Sequence, residues 1–438
     1  MEQRKFINIL ESVHFRIFGH SISEQMMVFL KNLSWSLFGG IVASFLMLAV
    51  NIGVGRYFGP EEYGKYNLIL SVSQILLVFI YLGTDVSSVR YISREEGLQR
   101  KRSFLSSSFY FVVGTILFSW VVYYLMHQLI ESSFHVDGQY ILFPLIFGTF
   151  LALKGMLDGY LRAFSLFRFQ AYLRVVEACV VVVFLILTLV VIGVREYQYY
   201  IYAIVSGAAI FSIVTLYRLR WSLRPFDAKS LQLMLSYGHI VLLGTVLSVV
   251  FNSLDKLIIA KYLGVAQLGI YSAYFMTSTN LIAQMTQVFN NVFFPAISQV
   301  SDTAYVEKMN ILVRRLFIPG GIILSGLLYG ILLVFGRAYE PNIFLSISFG
   351  FLAILQIILT INASIITALS RALLKKYYFW LYVVSFCHII FYGVLIYYGL
   401  ISILALIFLF FANFLSVIFI QKWLIRRFIG SSGALFPA

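Results

Sequence analysis

Four ionisable residues lie inside otherwise apolar stretches. Lys154 and Asp158 are four residues apart, and Arg174 and Glu177 are three apart. On a helix both spacings put the two side chains on one face, within reach of each other. A charge at mid-bilayer costs roughly 2.5–3.5 kcal/mol on insertion scales, so such residues need partners or a ligand. Two arrangements fit. The set can close on itself as an ion-pair network between two helices. Alternatively its lysine and arginine can present a cationic face to phosphate, which both bind through charge and hydrogen-bond donors.

A second pattern is polar but uncharged. Thr277, Asn280, Gln284, Gln287 and Asn291 recur at steps of 3, 4, 3 and 4, which is one stripe along a helix. Amides donate and accept together, as sugar hydroxyls require. The same stripe also suits helix–helix hydrogen bonding. Asn67, Ser71, Gln74, Asp85 and Ser88 form a sparser version. Thr245, Ser248, Asn252 and Asp255 share a face, with Lys256 adjacent. Asp255 can bind a coupling cation, Na+ or H+, or be neutralised by a lysine. Asp85 with Arg90 is a second candidate pair, Asp85 for coupling and Arg90 for substrate binding. The six histidines are scattered without ligand spacing, and the two cysteines, Cys179 and Cys387, lie apart in apolar runs. No metal site, no cofactor and no nucleophile–base constellation is predicted, so the chain is not expected to be an enzyme.

The elements that must position these residues follow from composition. Of 438 residues, 61% are hydrophobic and 11% charged, with mean hydropathy +0.91. A soluble domain is nearer a quarter charged. About 20 apolar residues cross a bilayer as a helix. Twelve such spans are expected: 35–57, 66–89, 104–126, 140–161, 169–194, 198–217, 237–260, 268–297, 313–335, 341–366, 377–397 and 399–421. The phrase "RYFGPEEYGKY" at Arg56–Tyr66 returns as "KYLGVAQLGIY" at Lys261–Tyr271. A repeat this long is half a protein. The predicted fold class is therefore an all-α polytopic membrane protein of two pseudo-symmetric six-helix lobes related by a parallel repeat. The expected divisions are a tail or interfacial helix over 1–34, a lobe over 35–217, a connection over 218–236, a second lobe over 237–421 and a tail over 422–438.

Loop charge orients these spans. Twenty-five basic residues fall on one side and five on the other, which makes both termini cytoplasmic. The net charge of +14 is thus read as topology and not as nucleic-acid binding. Two six-helix bundles facing each other suit alternating access.

The stretches "VNIGVGRYFGPEEYGKYNLIL", "LGTDVSSVRYISRE" and "NSLDKLIIAKYLGVAQLGIYSAYF" resemble the polysaccharide flippase family. These are the Wzx-type O-antigen and repeat-unit exporters of the multidrug/oligosaccharidyl-lipid/polysaccharide superfamily. The resemblance implies a twelve-helix flippase of a bacterial cytoplasmic membrane. Its partner would be an undecaprenyl-pyrophosphate-linked oligosaccharide within membrane lipid, with a glycan polymerase or other assembly proteins nearby. A multidrug or cation antiporter of the same superfamily is an alternative, and a peptidoglycan-precursor flippase a neighbour. A membrane glycan polymerase or ligase is the enzyme alternative. It would be expected to use a large outer loop, whereas the longest one here is Gln128 to Tyr140.

Overall fold

Backbone groups in lipid must be satisfied internally, so an apolar chain of this kind forms helices or a closed barrel. The computed structural model describes residues 24–134, 139–279, 282, 303–369 and 371–433, and they are helical, with no strand among them. In chain order the helices are α1 (Glu24–Phe58), α2 (Pro60–Tyr81), α3 (Thr84–Arg94), α4 (Leu98–Phe134), α5 (Gln139–Ala163), α6 (Phe167–Ile186), α7 (Tyr197–Leu219), α8 (Ala228–Tyr262), α9 (265–279), α10 (Thr303–Phe335), α11 (Ile343–Leu369), α12 (Arg371–Tyr397) and α13 (Ile403–Gly433). Among the described residues ten helices are long and apolar enough to cross a membrane, or eleven if the bent stretch Ala228–His239 with Val241–Leu247 is taken as one. Most of the expected eighth span, 268–297, lies outside the described residues.

Several boundaries move. The second span stops at Tyr81, and Leu82 and Gly83, both at positive φ, break the helix before α3. Asp85 and Arg90 therefore sit on a short separate helix and not in a span. The expected connection over 218–236 shrinks, because α7 runs to Leu219 and α8 already starts at Ala228. At the ends, α1 is helical from Glu24 and α13 continues to Gly433, so neither flank of the membrane region begins where apolarity does. Polar residues extend a helix readily once its apolar part is fixed.

Within the first half α1 packs on α6, α2 on α5, and α7 on both α5 and α6. In the second half α10 packs on α11, and α11 on α13. The halves meet where α2 lies along α8.

The repeated phrase has a structural use. Gly59 and Gly264, 205 residues apart, both turn the chain at positive φ, 85° and 95°, where a side chain would be strained. The helices they start then touch reciprocally. A Cβ on Gly64 would lie 2.0 Å from the Val265 carbonyl oxygen, and one on Gly269 would lie 1.8 Å from that of Pro60. Pro60 and Val265 are also 205 apart, as are Gly64 and Gly269. A contact in which i meets j and j's counterpart meets i's is what a two-fold axis between the turns produces. Aromatic residues surround it. Tyr63 meets Phe335 and Tyr339 edge-on, and Tyr339 donates to the Gly55 carbonyl at 2.7 Å.

The opposite, basic end is fastened differently. Asp227 caps α8, accepting from the Lys229 N–H at 3.1 Å and from the Ser230 and Ser103 hydroxyls at 2.6 and 2.9 Å. Ser106 and Ser107 of α4 accept from the Arg224 and Asp227 backbone N–H groups at 2.7 and 2.9 Å.

Candidate substrate site

The α5–α6 hairpin brings the four predicted charges together, but crosswise. Arg174 forks onto Asp158, with Nη2 to Oδ2 at 2.9 Å and Nε to Oδ1 at 3.3 Å. Lys154 pairs with Glu177. Lys154 does not pair with Asp158, nor Arg174 with Glu177, as the spacings had suggested. The reason is hairpin register: in two antiparallel helices joined by a tight turn, a step of four down α5 matches a step of three up α6. Each rung thus joins one helix to the other. Gln170 adds a hydrogen bond to Asp158 Oδ1 at 2.8 Å, and Arg162 lies 3.6 Å from Oδ2.

Exposure decides what the cluster presents. The Lys154 and Arg174 side chains are each 30% exposed, whereas Glu177 and Asp158 are 11% and 13% exposed. The carboxylates lie beneath and the cations lie outward. With Arg162, which is more exposed still, the set carries one net positive charge. The network and the cationic face are therefore not exclusive: the pairing holds the cations in place and leaves them accessible.

Asp85 and Arg90 are not an ion pair. Five residues apart on a helix point to different sides, and Arg90 lies over the Tyr237 ring at 4.0 Å. Burial raises the Asp85 carboxyl above the ordinary range, and the backbone N–H groups of Val86 and Asp85, with the Arg162 field, only partly oppose this.

Asp255 is fully buried on α8. It accepts from the Tyr271 hydroxyl, and Lys256 Nζ stands 3.6 Å from its other oxygen. Lys256 also rests over Phe275 at 3.9 Å. Lys256 is thus close enough to neutralise Asp255. On α9, Thr277 is buried, while Asn280, Gln284, Gln287 and Asn291 lie outside the described residues.

Sequence reasoning missed a cavity of about 330 Å³ bounded by α8, α9, α11, α12 and α13. Tyr271, Phe275, Ser278 and Thr279 line it from α9, and Gln356, Thr360, Tyr377 and Asn413 add polar groups from α11, α12 and α13. Thr277 is not on that face. The available signal was faint: Gln356 and Thr360 share a face of the largely apolar α11, and Asn413 is the one amide within "IFLFFANFL".

A family model described as "Polysaccharide biosynthesis protein" matches residues 29–301, more than half of the chain. The chain belongs to this family. Among family-level relatives, an uncharacterized membrane protein, MJ1068, of Methanocaldococcus jannaschii is 22% identical over 345 residues, covering 73% of this chain and 66% of that one. The fold is shared with solved transporters. An inward-facing multidrug resistance MATE family transporter of the MOP superfamily aligns with a TM-score of 0.63 at 13% identity, covering 88% of this chain and 94% of its own. A MOP superfamily transporter from Pyrococcus furiosus, whose binding pocket is described as of reverse polarity, aligns at 0.62 and 14%, covering 92% and 95%. This polysaccharide biosynthesis family member is thus a multi-pass membrane protein with the MOP transporter fold.

Proposed function

We propose that the protein is a flippase for undecaprenyl-pyrophosphate-linked glycan repeat units, working by alternating access between two six-helix lobes. The observation that carries this is the outward cationic pair, Lys154 and Arg174, held over buried carboxylates about mid-helix in a polysaccharide-family membrane protein. Such a face attracts a diphosphate and repels a cationic drug, which counts against the antiporter alternative. On this view the basic end is cytoplasmic, the membrane is the bacterial cytoplasmic one, and substrate is loaded from the basic side. The loop-charge bias supports that orientation.

The crosswise pairing fixes the test. Removing one member of a buried pair leaves the other uncompensated, whereas removing both is often nearly neutral. If Lys154 serves phosphate, Lys154→Gln is abundant in the membrane but does not display glycan. The Lys154→Gln, Glu177→Gln double variant then stays inactive, and Lys154→Arg keeps part of the activity. Recovery of display in the double variant would make the pair structural and remove the support for the flippase assignment.

A further inference from the structure

The cavity among α8, α9, α11, α12 and α13 has a chemistry opposite to that of the α5–α6 cluster. Among the described residues no charged side chain lines it. Asp255 is sealed behind Tyr271, whose hydroxyl donates to the carboxylate and which itself lines the space. Asn413 is 7% exposed, lines the cavity, and its Nδ2 has no hydrogen-bond partner among the described residues. Thr360 gives its hydroxyl proton to the Gln356 carbonyl at 2.9 Å, which leaves its oxygen as an acceptor. The Tyr377 oxygen accepts from Gln421 at 3.1 Å, which leaves its proton to give. Phe275 and Phe349 supply apolar ring surface.

We infer that this cavity holds a neutral sugar ring of the transported glycolipid, while the phosphates remain with the cations of α5 and α6. A pyranose has hydroxyl edges that donate and accept, and C–H faces that pack on aromatic rings; amide, hydroxyl and phenyl groups meet both needs. Other ligands fit worse. Among the described lining residues a phosphate finds no cation, Lys256 being buried behind Phe275, and a cationic drug finds no accessible carboxylate. An isoprenoid tail would leave the buried Asn413 amide unpaired, which is costly. The volume lies at the lower end of that of small-molecule sites, so it suits a sugar residue and not a whole repeat unit. This inference rests on the proposal that the protein carries a phosphate-linked glycan. It assigns the two parts of one substrate to the two halves of the chain.

The test uses the full-length protein in nanodiscs and three probes: undecaprenyl pyrophosphate, and the same lipid carrying N-acetylglucosamine or galactose. At least one sugar-bearing probe is expected to bind about tenfold more tightly than the bare lipid, the worth of roughly one good hydrogen bond. Asn413→Leu and Gln356→Leu should erase that increment and leave binding of the bare lipid unchanged. Lys154→Gln should weaken all three probes alike. Where Asn413→Leu fails to accumulate, the near-isosteric Thr360→Val carries the same expectation. If neither sugar tightens binding, or if the cavity variants weaken the bare lipid as much as the sugar-bearing probes, the sugar assignment is wrong while the flippase proposal stands. If the wild-type protein binds none of the three, both fall.

Discussion

The first helix of each half places different chemistry at the same point of the repeat. In the first half Asn51 accepts from Tyr200 at 2.9 Å and from Tyr63 at 3.4 Å, and the Tyr66 and Tyr200 rings lie 4.3 Å apart. Nothing in this network is ionised. At the offset of 205, Val50 becomes Asp255, Asn51 becomes Lys256 and Tyr66 becomes Tyr271. The same frame then holds a buried charge couple capped by a tyrosine. The reverse holds for the charged hairpin. Aligned through Arg162 and Arg371, Lys154 and Asp158 correspond to Ala363 and Thr367, and Arg174 and Glu177 to Val383 and Phe386. The halves therefore share what the backbone needs, such as Gly59 with Gly264 and Gly64 with Gly269. They differ in where they keep charge: toward the basic end in the first half and toward the far end in the second.

The largest effect should come from breaking what is shared. Gly64→Ala or Gly269→Ala drives a Cβ into a backbone carbonyl at 2.0 or 1.8 Å, and backbone cannot yield as a side-chain tip can. Overpacking typically costs about 1–3 kcal/mol, and a backbone clash belongs at or above the top of that range. Both variants should lose glycan display, and to the same degree, because the contact is reciprocal. Gly53→Ala and Gly114→Ala, which would meet nothing within 4 Å, should be neutral. Normal display in Gly64→Ala with failure in Gly269→Ala would refute the symmetric contact.

A second effect, of comparable size, should follow from what differs. Lys256→Met leaves Asp255 buried beside Tyr271 without its cation, a change worth about 3–5 kcal/mol for a fully buried pair. Adding Asp255→Asn should restore most of the lost thermal stability, since the second half would then resemble the neutral first. Asn51→Leu in the first half, which removes an acceptor from two tyrosines, should cost only about 1–3 kcal/mol. Restored stability with export intact would make the couple structural. Restored stability without export would assign Asp255 a part in the transport cycle. Failure of the double variant to regain stability would mean the couple is not a compensated pair.

What the sequence revealed and withheld follows from which distances it encodes. Apolar runs announced the helices, because hydropathy is local. The repeat was legible because glycines at Gly59 and Gly264 answer a local φ requirement. Lys154, Asp158, Arg174 and Glu177 were found as a set, since charge in an apolar run is conspicuous, but their partners were not. Helical spacing names neighbours along one helix and is silent on hairpin register. Asp85 and Arg90 were paired by nearness in sequence, which the break at Gly83 and the Tyr237 ring overrule. The cavity around Asn413 was illegible because its polar groups come singly from separate helices. Each of them alone looks like a tolerated amide or hydroxyl.

The two seams between the halves should also respond differently to acid. The far-end seam is backbone against glycine and contains no titrating group in the contact itself. The basic-end seam depends on the Asp227 carboxylate. The Ser230 and Ser103 hydroxyls that donate to it hold its pKa below the ordinary carboxylate value. A depressed folded-state pKa means that the carboxylate contributes stability above the unfolded value of about 3.9, and that this is lost as pH falls through the folded value. Asp227 is partly exposed, so the loss is modest: Asp227→Ala should cost about 1 kcal/mol at pH 7, the usual worth of an N-cap. Asp227→Asn keeps an accepting oxygen and should cost less. Thermal unfolding of the detergent-solubilised protein at pH 7 and at pH 3 measures both. The gap between wild type and Asp227→Ala should narrow at pH 3, whereas the Gly269→Ala deficit should be the same at both values. An Asp227→Ala gap that persists undiminished at pH 3 would show that the cap's charge is not what holds the connection to α4.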